Sequence, residues 1–179
     1  MYIPRDAEST IDMLFRGFPI VVVTGPRQSG KAILAHHVFQ GRPYLSLEDP
    51  DEEEFVKNDP RRFLSQFKKG AVLDEVQRVP HLLSYLQGIV DRDGRMNLFL
   101  LTGSPQLGLL AEITQTLAGR AAILELLPFF VKELAKTDRL PDSLEQLLFA
   151  GFYPPLYSRA GRLPPAFSTS KRGAVFQFV

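Results

Sequence analysis

The run Gly25-Pro26-Arg27-Gln28-Ser29-Gly30-Lys31 sets two glycines and a lysine in a fixed order. Glycines at its first and sixth places let the backbone curl until successive N–H groups point into one concavity. An anion there meets amide donors, the positive end of a helix that begins near Gly30, and the ammonium of Lys31. The pattern is G-x-x-x-x-G-K, and its chemistry is that of a cradle for the phosphate chain of a nucleotide. The cradle comprises Gly25, Pro26, Arg27, Gln28, Ser29, Gly30, Lys31, Ala32 and Ile33. The pattern ordinarily ends in Ser or Thr, whose hydroxyl ligates Mg2+. Here the place is held by Ala32, which has no ligating atom. A water can stand in for the hydroxyl. Loss of even supporting groups around a metal costs roughly 10–100-fold in affinity or activity. The expectation is nucleotide binding with impaired Mg2+-dependent hydrolysis.

Further along, Ala71-Val72-Leu73-Asp74-Glu75 is an apolar run that ends in two acids. As a strand parallel and adjacent to the one ahead of the loop, it brings Asp74 to the phosphates. Asp74 then holds Mg2+, mostly through water, and Glu75 orients and polarises the attacking water. Leu98-Phe99-Leu100-Leu101-Thr102-Gly103-Ser104 is another buried run that ends in hydroxyls. Thr102 and Ser104 are candidates to touch the γ-phosphate or the water. Ser104-Pro105 reads equally as a helix cap with Pro at the first helical position. Arg120, in Ala118-Gly119-Arg120, has three readings: a γ-phosphate sensor, a group reaching into a neighbouring subunit, or a surface arginine. Its planar fork suits charge on a transferred phosphoryl group. Arg27 and Arg78 stay open in the same way. His36 and His37 are adjacent on a helix and so face apart; they and His81 read as surface or packing residues.

These residues need elements to position them. Phe18–Thr24 is apolar and rich in β-branched residues, as a strand buried on both faces is. Tyr44–Leu47, Ala71–Asp74, Asn97–Thr102 and Ala121–Leu126 are further strand candidates. Between them Gly30–Gln40, His81–Asp91 and Pro105–Leu117 carry apolar residues at helical spacing, and Arg5–Arg16 reads as an amphipathic helix ahead of the first strand. Glu48–Glu54 holds six acids in seven residues, the mark of a solvated loop and helix start. Alternation of buried strands and helices predicts a parallel sheet covered by helices.

Composition bounds the rest. The chain has 179 residues, 45% hydrophobic and 23% charged, which suits one domain with a real core. It contains no cysteine, which excludes disulfide scaffolds, Cys-based zinc or iron–sulfur sites and thiol catalysis. A net charge of +1 argues against a wholesale polyelectrolyte binder. No apolar run approaches the roughly 18–20 residues that span a bilayer, and Met1-Tyr2-Ile3-Pro4-Arg5-Asp6 lacks the layout of a secretion signal. The expected location is cytoplasmic, with no membrane partner. Beyond Tyr157 the chain carries Arg159, Arg162, Lys171 and Arg172 and no acid. Residues 158–179 read as a weakly ordered basic tail, with DNA contact as the alternative.

The motifs together resemble a family. Gly25–Lys31, Leu45-Ser46-Leu47-Glu48-Asp49-Pro50, Leu73-Asp74-Glu75-Val76-Gln77-Arg78-Val79-Pro80, Leu101–Ser104, Leu117–Arg120 and Gly151-Phe152-Tyr153-Pro154 are similar to those of the prokaryotic ATPases of the AAA+ superfamily that carry a C-terminal DUF4143 domain. The resemblance covers residues 1–157. It implies an α/β P-loop NTPase of AAA+-like type, a three-layer sandwich with a central parallel five-stranded sheet. It implies ATP and Mg2+ as ligands at Walker A and Walker B motifs, with Lys31 on the phosphates, Asp74 on Mg2+ and Glu75 as the catalytic acid. It favours a phosphate-directed role for Arg120 and self-assembly through it. Two departures stand out. Ala32 replaces the family's Thr, and from about Ser158 the likeness ends where the family continues into its long C-terminal domain, as it does in a truncated or frameshifted gene.

Overall fold

A computed structural model describes residues 2–104 and 107–158. The described residues divide into two compact units, Pro4–Pro128 and a second that joins residues 2–3 to residues 129–158.

The larger unit is built on five strands: β1 (Ile20–Thr24), β2 (Tyr44–Ser46), β3 (Ala71–Asp74), β4 (Phe99–Gly103) and β5 (Ala121–Glu125). All four pairings are parallel and the order is β2-β3-β4-β1-β5. Every residue of β1, β3 and β4 is buried, which is why these strands read as continuous apolar runs. Alternate side chains serve opposite faces. Val21, Val23, Val72 and Leu100 pack with Ile11 and Phe15 of α1 (Ala7–Gly17) and Leu34 and Ala35 of α2 (Lys31–Val38). Ile20, Val22, Leu73, Phe99 and Leu101 pack on the other side. There they meet α3 (Pro50–Asn58), α4 (Pro60–Ser65), α5 (Leu82–Asp93) and α6 (Leu107–Thr116). The result is the expected three-layer α/β sandwich around a five-stranded parallel sheet.

One expectation is corrected. β3 does not lie beside β1; β4 stands between them. β3 and β4 are consecutive strands joined by one crossover helix, and such strands usually become neighbours. β4 therefore takes the central place, and Thr102 lies on the strand between the loop and Asp74.

The acidic stretch starts α3 as its composition implies. The Asp49 side chain accepts the Asp51 N–H at 3.0 Å, Pro50 takes the first turn, and Asp51, Glu52 and Glu53 sit at the positive end of the helix. Asp59 repeats the device for α4, accepting the Arg62 N–H at 2.9 Å.

The smaller unit holds α7 (Val131–Ala135), α8 (Leu144–Ala150) and α9 (Pro154–Ser158). Ile3, Phe129, Leu134, Leu147 and Tyr157 form its core, and the Tyr157 hydroxyl donates to the Gly151 carbonyl at 2.6 Å. The basic tail expected over residues 158–179 lies outside the described residues from 159 on. Among the described residues no helix is long and apolar enough to cross a membrane.

Candidate functional site

β1 ends at Thr24 and α2 starts at Lys31, so the six residues between them form a loop at the C-terminal edge of the sheet, where ligands of open α/β folds bind. Positive φ at Gly25 (+147°), Gln28 (+62°) and Gly30 (+93°) produces the curl. Gly25 is required twice over. Its φ disfavours a side chain, and a Cβ there would stand 2.1 Å from the Leu126 carbonyl oxygen. Arg5, buried beneath the loop, donates to the Ser29 carbonyl at 2.9 Å and to the Leu127 carbonyl at 2.6 Å. One guanidinium thus ties the loop to the segment after β5.

Lys31 reaches back across the loop, its Nζ donating to the Gly25 carbonyl at 2.9 Å and the Pro26 carbonyl at 3.0 Å. Burial pushes its ammonium below the ordinary lysine range, against the pull of Glu75 and Asp74 and with a small push from Arg27. Arg27 itself is exposed. Ser29 is fully buried, and its hydroxyl has no partner among the described residues. Ala32 is half-buried, and Ile33 turns its side chain outward, 54% exposed.

Asp74 ends β3 at the same edge. Its Oδ1 accepts the Thr102 hydroxyl and its Oδ2 accepts the Tyr44 hydroxyl at 2.6 Å. Tyr44 stacks on His36 of α2, ring centroids 3.8 Å apart. Burial, reinforced by the bond to Asp74, raises its phenol well above the ordinary tyrosine range, so it stays a donor. Glu75 follows in a left-handed conformation, φ 58° and ψ 44°, and opens a 3-10 turn over Val76–Arg78. Gln77 Nε2 donates to Glu75 Oε2. A carboxylate only accepts, which sets the orientation of the amide. Gln77 Oε1 is buried without a partner among the described residues. It occupies the space a Cβ on Gly103 would take, 2.6 Å from that position.

The loop, Lys31, Thr102, Asp74 and Glu75 therefore share one edge of the sheet. Arg120 does not. Ala121 pairs with Ile20 at the start of β1, and the Ile20 N–H donates to the Arg120 carbonyl. At about 3.3 Å per residue the five residues of β1 separate Arg120 from the loop by roughly 16 Å. Its guanidinium is held by Asp91, with Nη2 2.9 Å from Oδ2. Within its own chain Arg120 thus stands at the opposite edge of the sheet from the loop. Arg78 pairs with Glu53 at 3.1 Å. The Ser104 hydroxyl is buried and unpartnered among the described residues, and its capping role rests on Pro105, outside them.

Sequence reasoning missed Tyr44, Gln77 and Arg5. Gln77 stands two residues beyond the acid pair, a proximity that carries a signal. Tyr44 and Arg5 reach the site only through the sheet order and the fold of the chain start.

Among the described residues no group of three or more His, Asp or Glu side chains is arranged to hold a metal. Mg2+ does not require such a cage, since it is usually held by one carboxylate, waters and the substrate's phosphates. Asp74 retains accepting capacity beyond its two hydroxyl donors. The residues fit a magnesium ion carried by a nucleotide and held through water, without a hydroxyl from position 32.

Sheet order, loop and edge define a P-loop NTPase fold. A family model described as an AAA domain matches residues 17–135, more than half of the chain, and the chain belongs to that family. The chain is 29% identical over 155 residues to the uncharacterized protein Rv2008c of Mycobacterium tuberculosis and to the uncharacterized protein Mb2031c of Mycobacterium bovis. The match covers 86% of this chain and 34% of each relative, so the chain spans about a third of their length. Two solved structures share the fold. The Walker-type ATPase PABY2304 of Pyrococcus abyssi has a TM-score of 0.52 and 19% identity, over 75% of this chain and 57% of that one. The signal transduction ATPase with a tetratricopeptide repeat sensor, PH0952 of Pyrococcus horikoshii, has a TM-score of 0.57 and 16% identity, over 97% of this chain and 31% of that one.

Proposed function

We propose that this chain binds ATP at the Gly25–Gly30 loop and hydrolyses it slowly with Mg2+. The observation that carries the reading is the meeting of a curled, amide-lined loop with a buried lysine and the Asp74–Glu75 pair at one sheet edge. Lys31 leaves the Gly25 and Pro26 carbonyls, to which it is bonded at 2.9 and 3.0 Å, for the β- and γ-phosphates. The backbone N–H groups of Gly25 and of Arg27 through Ile33 enclose the phosphate chain and stabilise the charge that develops on it. Asp74, steadied by Tyr44 and Thr102, would hold the metal. When bound, Mg2+ neutralises charge on the phosphate oxygens. Glu75 accepts a proton from the attacking water, and Gln77 fixes the direction of its carboxylate. Thr102 stands on β4, between the strand of the loop and that of Asp74, its hydroxyl donating to Asp74. Arg120 acts, in this reading, only on a nucleotide held by another copy, which requires Asp91 to release it. Residues 1–157 are proposed to work as one AAA-type domain.

Ala32 supports a second reading: a nucleotide-dependent binding module without turnover. Steady-state phosphate release separates the two. Hydrolysis that disappears in both Lys31→Ala and Glu75→Gln supports the enzyme. Tight nucleotide binding with phosphate release no higher than in Glu75→Gln supports the module.

A further inference from the structure

A second concave site lies away from the nucleotide loop. A cleft of about 570 Å3 runs between α4 and α5. Arg61 and Ser65 of α4 face Ser84, Tyr85, Gly88 and Arg92 of α5 across it. A further depression of about 400 Å3 shares the walls Leu64, Ser65 and Ile89 and continues past Lys68 to Phe99, the first residue of β4. The cleft thus extends to the edge where the strands start, opposite the Gly25–Gly30 loop.

Three properties of this cleft point the same way. The first is charge. No carboxylate lines its larger part. The one acid in the continuation, Asp93, is engaged by Arg95 through both oxygens, Nε at 2.5 Å and Nη2 at 2.7 Å. Arg61, Arg92 and Lys68 are exposed, and none of the three side chains is in an ion pair among the described residues. The second is an aromatic surface. Tyr85 is half-buried between Arg61, whose Cζ lies 6.0 Å from the ring centroid, and His81, whose ring meets it edge-on at 6.5 Å. The third is an open floor. Gly88 sits inside α5 with no left-handed φ, and a Cβ there would find only Arg92, at an ordinary 3.5 Å. Neither backbone nor packing requires a glycine at a place where glycine weakens a helix. Its effect is to leave room beside Arg92 and Tyr85.

We infer that the α4–α5 cleft binds a single strand of nucleic acid. Arg61, Arg92 and Lys68 meet successive phosphates, and Tyr85 with the apolar walls Leu64 and Ile89 receives bases. Cations along a groove with an aromatic platform are what an unpaired strand uses, because every base has a stacking face. A duplex presents its phosphates on a convex surface and keeps its bases inside, so it cannot use Tyr85. An acidic peptide would use the arginines and gain nothing from the ring. The site does not depend on the nucleotide reading, since it shares no residue with the loop or the acid pair.

The test is fluorescence anisotropy of the full chain with a labelled oligo(dT) of about 20 nucleotides. Three phosphate contacts give a log–log salt slope of about −2, so a fourfold rise in salt weakens binding about 20-fold. Arg61→Glu with Arg92→Glu removes most of the affinity. Tyr85→Ala weakens binding roughly 5-fold or more, and Tyr85→Phe, which keeps the stacking face, restores it. Arg16→Glu, on the opposite face of the sheet, changes binding little. Circular dichroism verifies that each variant is folded. Absence of oligo(dT) binding by the native chain overturns the inference. So does native affinity in the folded Arg61→Glu/Arg92→Glu variant, or a preference for duplex DNA or poly-glutamate that Tyr85→Ala leaves unchanged.

Discussion

Gly103 offers a sharp test of how the site is assembled. It lies in β4 with no left-handed φ, so the backbone there accepts any residue. What it lacks is room. A Cβ would stand 2.6 Å from Gln77 Oε1 and 2.9 Å from Leu109 Cδ2. Both distances are shorter than real Cβ contacts, and both opposing atoms are ends of side chains. Gly103→Ala must therefore push Gln77 aside and disturb Leu109, which is buried in the main core. Overpacking of this kind costs about 1–3 kcal/mol, which in a chain of this size lowers Tm by roughly 2–12 °C. The cost is shared with a definable partner. In a Gln77→Ala background the amide oxygen is gone and only the Leu109 contact opposes the new methyl group. Urea unfolding of native chain, both single variants and the double variant measures this coupling. The two substitutions are expected to depart from additivity by more than about 0.5 kcal/mol, the double variant being more stable than the sum implies. Because Gln77 also holds Glu75, Gly103→Ala is expected to slow ATP turnover at unchanged nucleotide affinity. Additive stabilities, or a Gly103→Ala chain as stable as the native one, would refute the packing argument.

Three further outcomes follow from the same geometry. Ala32→Thr restores a hydroxyl for Mg2+ and is expected to raise turnover by roughly 10-fold or more, read from phosphate release across a magnesium titration; an unchanged rate and unchanged metal affinity would contradict the role assigned to position 32. The depressed Lys31 pKa has a defined sign. Between its folded-state value and the ordinary lysine value of about 10.4 the unfolded chain binds more protons than the folded one, so Lys31 makes stability rise with pH across that window. Nucleotide affinity runs the other way, weakening as the ammonium is lost, and Lys31→Arg is expected to abolish that weakening in a binding titration carried from neutral pH up toward the ordinary lysine value. Arg5→Ala leaves the Ser29 and Leu127 carbonyls without their buried donor, which costs about 1–3 kcal/mol in chemical denaturation.

Much of this fold was legible in local pattern. β1, β3 and β4 read plainly as strands because residues buried on both faces leave no polar alternation to blur them; β2 and β5, which are only partly buried, read as strands by their short apolar runs between turns. The loop was legible because its glycines answer to backbone need. Gly25 has both a φ of +147° and a carbonyl 2.1 Å from where its Cβ would be. Strand order was not legible, because it depends on which hydrogen-bonding edges meet. Once β4 is placed between β1 and β3, Thr102 becomes the donor to Asp74. The same register moves Arg120 to the far edge, a consequence already implicit in reading Ala121–Leu126 as parallel to β1. Tyr44 escaped notice because its bond to Asp74 joins residues 30 apart in the chain. The short helices after Phe129 escaped it because five to seven residues hold too few turns to show a period.

The central claim is that the Gly25–Lys31 turn encloses a nucleotide's phosphates. Calorimetric titration of the native chain and Lys31→Ala with ATP, in the presence and absence of Mg2+, tests it most directly. The expected outcome is saturable binding by the native chain, strengthened by Mg2+, and its loss in a Lys31→Ala chain that remains folded. Equal ATP affinity in the two chains would contradict it.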